Sequence, residues 1–120
     1  MTVWILLAQM LYAQQMTVNN ILYNVLSTEQ LTVEVAAGQN PAVCGTSVSI
    51  PSEITYDAKT WKVKAVGENA FSWYNPKQLL SVELGYNVSS IGASAFAGCT
   101  NLTSISGTGV KEIGAYAFKN

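Results

Sequence analysis

The feature that most constrains the fold is a short pattern that occurs three times in the second half of the chain. It reads apolar–Gly–x–x–Ala–Phe, and its copies begin at Val66, Ile91 and Ile113. The two intervals between these starting positions are similar, and the first is slightly the longer. A period of about 20–30 residues indicates small structural units that must stack on one another, because one unit alone cannot bury its apolar face.

A second element lies between the copies of this pattern. Residues 79–84 (LLSVEL) and 102–107 (LTSISG) both read Leu–x–x–apolar–x, and their starting positions are separated by a similar interval. This is the strand pattern of a leucine-rich repeat. Gly107 stands where a further apolar residue is expected, and we expect it to loosen the last strand.

Alternation along these strands predicts one buried and one outward face. Leu79, Val82 and Leu84 are expected to point into the core. The outward positions form the predicted concave binding face, and the alternative is that they are simply solvated strand residues. They are Ser81, Glu83, Ser104 and Ser106.

The apolar–Gly–x–x–Ala–Phe element is expected to close each unit. Gly92 and Gly114 would let the chain turn sharply. Ala95 and Phe96 would then form a short helical turn that packs the Phe ring into the interior. The predicted fold class is therefore β-rich α/β, a leucine-rich-repeat solenoid with short helical turns.

Upstream of the repeats the hydrophobic pattern changes to a period of two, which is typical of strands. Strands are expected over 21–25 and 31–35, then over 47–50 up to Pro51, and a hairpin is expected over 54–66. We interpret 14–66 as an N-terminal β cap that covers the first repeat. Residues 67–120 would be leucine-rich repeats, incomplete at about two and a half units, with more of the natural protein expected after Asn120.

The segment 1–13 is treated separately. Residues 3–13 (VWILLAQMLYA) form an apolar run of the length of a signal-peptide core, far short of the ~20 residues that cross a membrane. Ala13 would be the last residue removed. The alternative is a buried strand or helix, since no Lys or Arg precedes the run.

The sequence resembles one known family. The repeat IGASAFAGCTNLTSI is similar to the BspA-like leucine-rich repeat of surface proteins from host-associated anaerobic bacteria and some parasitic protists. The preceding segment looks like the one that leads into the repeats of many such bacterial proteins. The resemblance covers about 20–120 and implies a secreted or cell-surface protein that engages a protein or glycan partner on host or microbial surfaces.

The composition argues against several other functions. The chain has no His and no Arg among its six basic residues, which removes the commonest catalytic base and the usual phosphate-binding side chain. We therefore expect no enzyme, no nucleic-acid partner, no metal and no cofactor. The exposed turns and strands carry the acidic residues that a glycosidase pair would need, and we interpret them as surface charges: Glu53, Asp57, Glu68, Glu83 and Glu112.

Two further features have alternative interpretations. Trp73 and Tyr74 lie on the longer first inter-repeat loop, where they could anchor a partner or cover the core of the neighbouring unit. Cys44 and Cys99 allow one disulfide, but buried free thiols are the favoured state. The function expected is a surface adhesion or recognition module, and the alternative is a structural spacer or cap that presents a downstream domain.

Overall fold

The computed structural model describes residues 14–40, 45–72 and 79–119. This part of the chain is built from ten strands and their turns, with no helix. The strands are β1 (Gln15–Val18), β2 (Ile21–Ser27), β3 (Thr32–Val35), β4 (Ser47–Ile50), β5 (Glu53–Tyr56), β6 (Lys59–Val66), β7 (Ser81–Leu84), β8 (Ser90–Ile91), β9 (Ser104–Ser106) and β10 (Glu112–Ile113).

The strands form two sheets. The larger sheet has seven strands in the order β1-β2-β3-β6-β8-β10, and β5 pairs with β6 beside this path. Its first three strands are antiparallel, whereas β3, β6, β8 and β10 are joined in parallel. The smaller sheet has three parallel strands in the order β4-β7-β9.

The repeat period sets how the chain passes between the sheets. The chain runs from β7 in the smaller sheet to β8 in the larger one, and then from β9 to β10. Ser81 of β7 lies beside Ser104 of β9, one repeat later, and Ile91 of β8 lies beside Ile113 of β10. Each repeat therefore adds one strand to each sheet. The sequence period predicted the strand in the smaller sheet, and β8 and β10 in the larger sheet were not predicted.

The core lies between the two sheets. Leu79, Val82 and Leu84 are buried, so the predicted inward face of the repeat strand is confirmed. The largest fully buried side chains are Tyr23, Val33, Val35, Ile50, Val63, Val66, Phe71, Leu79, Val82, Val88 and Phe96. Residues from the upstream strands and from the repeats thus share one continuous core.

The short helical turns predicted at the Gly–x–x–Ala–Phe element are absent from the described residues. Each element instead forms successive hydrogen-bonded turns, such as Ala95 N–H to Gly92 O (3.2 Å) and Ala97 N–H to Ser94 O (3.1 Å). The third residue of each first turn has a positive φ: 57° at Ser94 and 60° at Tyr116. A right-handed helix cannot continue through a left-handed residue, and this explains the difference.

The role of the glycines in the Gly–x–x–Ala–Phe element also differs from the predicted one. Gly92 and Gly114 have ordinary negative φ, so the sharp turn does not depend on them. A Cβ at Gly92 would lie 2.7 Å from the Glu68 backbone nitrogen, and one at Gly114 would lie 2.6 Å from the Ala93 nitrogen. The glycines are required because the backbones of successive units come into close contact there.

The Phe side chains of the repeats stack in a column. The ring centroids of Phe71 and Phe96 are 5.3 Å apart with an interplanar angle of 2°, and those of Phe96 and Phe118 are 5.4 Å apart at 6°. Ala70, Ala95 and Ala117 are buried beside them. The predicted inward packing of the repeat Phe is confirmed for Phe71 and Phe96, and the column joins all three copies.

The upstream strands agree with the period-two pattern. Ile21 and Tyr23 are buried, β4 ends before Pro51, and Trp61 and Val63 point inward from the β5–β6 hairpin. That hairpin turns through two residues only, Asp57 and Ala58, both with positive φ. The boundary at residue 66 between the predicted cap and the repeats stays a prediction. β4 and β6 lie before this boundary, and they pair in parallel with β7 and β8 of the repeats.

Several predictions concern residues that the structure does not describe. The signal-peptide prediction for 1–13, the loop aromatics Trp73 and Tyr74, and Cys44 all lie outside the described residues. Within the described ranges, no helix has the length and apolarity that crossing a membrane requires.

Cys99 gives a prediction about pH. Its thiol is buried and contacts the Phe71 carbonyl oxygen at 3.2 Å, and burial raises its pKa from 9.0 to about 11. Between these values the unfolded chain loses the proton while the native state keeps it, so the free energy of unfolding should fall as pH rises. Urea unfolding of a Cys44→Ser variant, with and without Cys99→Ala, measures this fall. Equal slopes from pH 9 to about 11 in the two proteins would contradict it.

Candidate functional site

The outward side chains of β4, β7 and β9 form one continuous polar surface, which we call the polar face. Strand register places its members in two rows across the sheet. One row runs Ser47, Ser81, Ser104, and the other runs Ser49, Glu83, Ser106. The parallel pairing thus brings all four predicted face residues together and adds two more from the upstream strand.

The polar face is a shallow depression of about 260 Å³. Its floor includes Val48 and Val82, which are buried beneath the serines. The Ser81 hydroxyl donates a hydrogen bond to the Ser47 hydroxyl oxygen over 3.0 Å. Because the floor is fixed by core packing and strand pairing, the outward hydroxyls are held by the sheet rather than by a loop.

Hydrogen bonds join the residues that directly precede β4, β7 and β9. The Leu80 backbone N–H donates to the Thr46 carbonyl (2.8 Å), and the Thr103 side-chain hydroxyl donates to the Leu80 carbonyl (3.2 Å). The Leu80 side chain is exposed beside the face.

Glu83 is the one ionisable group among the described residues that line the depression. Its side chain is exposed in the central strand, with Ser49 on one side and Ser106 on the other. A lone carboxylate surrounded by hydroxyls makes the face a hydrogen-bonding surface with one negative charge. Such a surface presents hydrogen-bond donors, hydrogen-bond acceptors and one charge.

The described residues contain no group of three or more His, Cys, Asp or Glu side chains that could hold a metal ion. The five carboxylates considered for a glycosidase pair are all exposed: Glu53, Asp57, Glu68, Glu83 and Glu112. A glycosidase acid needs a desolvated environment, and exposed positions do not provide one.

The sequence pattern did not predict that Ser47 and Ser49 belong to the polar face. The segment Ser47–Ile50 reads SVSI and has the same alternation as SVEL in β7. The similarity is visible in the sequence, but the β5–β6 hairpin makes the interval from Ser47 to Ser81 longer than that from Ser81 to Ser104. A search for a fixed repeat period therefore passes over β4.

Comparison with known protein families identifies the family of the repeat region. A family model described as "BspA type Leucine rich repeat region (6 copies)" matches residues 64–120. Residues 64–120 belong to the BspA-type leucine-rich repeat family. No curated protein matches the chain. The BspA-type repeats explain the two parallel stacks of strands, and repeat arrays of this kind use their extended surfaces for interactions.

Several solved structures resemble this chain. A leucine-rich cell surface protein from Faecalibacterium prausnitzii has 25% identity and a TM-score of 0.75, over 88% of this chain and 28% of that one. A leucine-rich repeat protein of T. pallidum has 27% identity and a TM-score of 0.63, over 83% of this chain and 42% of that one. A Bacteroides capillosus leucine-rich repeat protein, at 22% identity and a TM-score of 0.70 over 82% and 70%, shares the fold. This chain thus spans less than a third of the F. prausnitzii protein.

Proposed function

We propose that this chain is a secreted or cell-surface recognition module that binds a protein or glycan partner on a host or microbial surface. The observation that carries the proposal is the polar face, a set of six outward side chains that three parallel strands hold in register. Repeat arrays bind their partners on extended surfaces of this type. The signal-like segment at 1–13 and the similarity to a leucine-rich cell surface protein support an extracytoplasmic location.

The composition of the face defines the chemistry of the partner. Five serine hydroxyls can each donate and accept hydrogen bonds, and Glu83 supplies the negative charge. A complementary surface would therefore present hydrogen-bonding groups and one cationic group opposite Glu83.

The test is a binding screen of the purified chain against immobilised matrix proteins, glycans and bacterial cells. We expect at least one ligand to bind, and a Glu83→Lys variant to bind it about tenfold or more weakly, since the substitution reverses the charge at the centre of the face. Glu83 is exposed, so the thermal unfolding midpoint should not change.

Glu68→Lys is the matched control. Glu68 is also an exposed carboxylate, but it lies in a turn element rather than on β7, and its substitution changes the net charge by the same amount. Its affinity for the same ligand should equal that of the parent chain. The proposal fails if nothing on the array binds, or if Glu83→Lys and Glu68→Lys bind as well as the parent.

The second candidate function is a structural spacer or cap that presents a downstream domain. It is favoured by the absence of aromatic residues among the described residues of the polar face, because aromatic anchors dominate the binding energy of many interfaces. The column of Phe rings and the parallel strands would give such a spacer its stiffness. A chain that binds nothing on the array, while a longer form of the protein carries a functional domain, would support this alternative.

A further inference from the structure

A cavity of about 470 Å³, which we call the hairpin cavity, lies among the strands that precede the repeats. In the larger sheet β2, β3 and β6 separate β1 from β5, yet β1 and β5 lie close together, so the sheet curves there. Met16, Val25 and Trp61 line the inner part of the cavity. Small-ligand pockets have volumes in this range. The hairpin cavity shares no residue with the polar face, so it is a separate candidate site.

The rim of the hairpin cavity carries four different chemical groups. Tyr56, Asp57 and Lys59 come from the β5–β6 hairpin, and Thr28 follows β2. Tyr56 lies opposite Lys59 in the strand register, and its side chain is 43% exposed. Asp57 lies in the two-residue turn, whose tight geometry holds it beside the strands. An aromatic ring, a carboxylate, an ammonium and a hydroxyl therefore surround one opening.

The charged and hydroxyl groups of the rim are available to a ligand. Within the described residues, no hydrogen bond or ion pair engages the side chains of Asp57, Lys59 or Thr28. A carboxylate only accepts hydrogen bonds, an ammonium only donates them, and a hydroxyl does both. A ligand at this opening would thus meet every type of hydrogen-bonding group.

We propose that the hairpin cavity binds a neutral saccharide, at a second site in addition to the polar face. Sugar hydroxyls both donate and accept, so one sugar can donate to Asp57 and accept from Lys59. The C–H face of a pyranose ring is apolar and fits against an exposed aromatic side chain such as Tyr56. The two opposite charges of the rim balance, so the site selects for no net charge on the ligand.

The distribution of apolar surface favours a sugar over an amino acid. A zwitterionic amino acid could also engage Asp57 and Lys59, but its side chain would need apolar surface deeper in the cavity. Met16 and Trp61 are each only 6% exposed, so the inner part offers little such surface. The exposed apolar group is Tyr56 at the rim, where a sugar ring can lie against it.

The test is an NMR titration of the whole chain with methyl β-glucopyranoside, methyl β-galactopyranoside and N-acetylglucosamine at millimolar concentrations. L-Leucine is the zwitterionic comparison. The Trp61 indole N–H donates to the Tyr56 carbonyl oxygen over 3.3 Å, so its resonance reports on this cavity. We expect at least one sugar to shift that resonance in a saturable way, and L-leucine to leave it unchanged.

Two variants locate the binding. Tyr56→Ala removes the ring but keeps the carbonyl that the reporter contacts, and it should raise the dissociation constant of the sugar about tenfold or more. Asp57→Asn keeps the shape of the side chain and tolerates a positive φ, and it should raise the constant about fivefold. Tyr86→Ala is the matched control, because Tyr86 is also exposed, at 69%, but lies outside the cavity. Its dissociation constant should equal that of the parent chain, and circular dichroism checks that each variant is folded.

Three results would overturn the proposal. They are a Trp61 resonance that no sugar shifts, one that only L-leucine shifts, and a dissociation constant that Tyr56→Ala leaves at the parent value. Glu83→Lys, on the polar face, should not change sugar binding at the hairpin cavity. The failure of this proposal is therefore distinct from the failure of the proposed function, which is read on the polar face.

Discussion

Replacing Phe96 with alanine is expected to lower the free energy of unfolding by about 3–5 kcal/mol. The ring is fully buried and lies between the rings of Phe71 and Phe118, with centroids 5.3 and 5.4 Å away. The substitution removes the middle ring of the column, and its cavity cannot close because the backbones of adjacent units are fixed by hydrogen bonds. Urea unfolding followed by circular dichroism measures the change.

Phe118→Ala is the control for this effect. Phe118 belongs to the same column and stacks on Phe96, but its ring is partly exposed, so its loss should cost about 1–2 kcal/mol. A loss below about 1 kcal/mol for Phe96→Ala, or a larger loss for Phe118→Ala, would show that the column does not hold the repeats together.

Gly92→Ala is expected to cost about 3 kcal/mol, near the upper end of the range for overpacked sites. The new Cβ would lie 2.7 Å from the Glu68 backbone nitrogen and 2.8 Å from the Gly67 carbonyl carbon. Backbone atoms cannot move aside as a flexible side chain can. Relief of the clash would require the two units to separate, which would break the hydrogen bond from the Gly92 N–H to the Val66 carbonyl (2.7 Å).

Gly38→Ala separates the effect of the close contact from that of backbone conformation. A Cβ at Gly38 meets nothing within 4 Å, but its φ is +86°, which an L-residue adopts at a cost of about 1 kcal/mol. We therefore expect Gly92→Ala to be the more damaging of the two in the same urea unfolding experiment. The opposite order would show that turn conformation, rather than contact between units, explains the repeat glycines.

The stacking of the repeats could be predicted from the sequence because it depends on periodicity. The spacing of the Gly–x–x–Ala–Phe copies and the alternation in 79–84 predicted the inward positions of Leu79 and Phe96, which the structure confirms. The turn conformation could not be predicted in this way. Ser94 and Tyr116 adopt positive φ although neither residue type favours it, so the repeat pattern carries no signal for that conformation.

Part of the candidate site could also be predicted from sequence periodicity. Ser81, Glu83, Ser104 and Ser106 follow from the alternation within each repeat strand, and their assembly follows from the repeat period. Ser47 and Ser49 belong to a strand that an inserted hairpin moves out of the period. β1 was also missed, although Asn19 and Asn20, the two positive-φ residues of its turn into β2, are of a type that tolerates this conformation.

The most direct test of the account is amide hydrogen exchange, measured residue by residue by NMR, because the polar face depends on units joined backbone to backbone. The Ser94 and Phe96 amides donate to carbonyls of the next unit, at 3.0 and 2.7 Å. The Ala93 amide has no acceptor within the described residues. We predict that Ser94 and Phe96 exchange about 100-fold or more slowly than Ala93. Equal rates at the three amides would contradict the stacked arrangement.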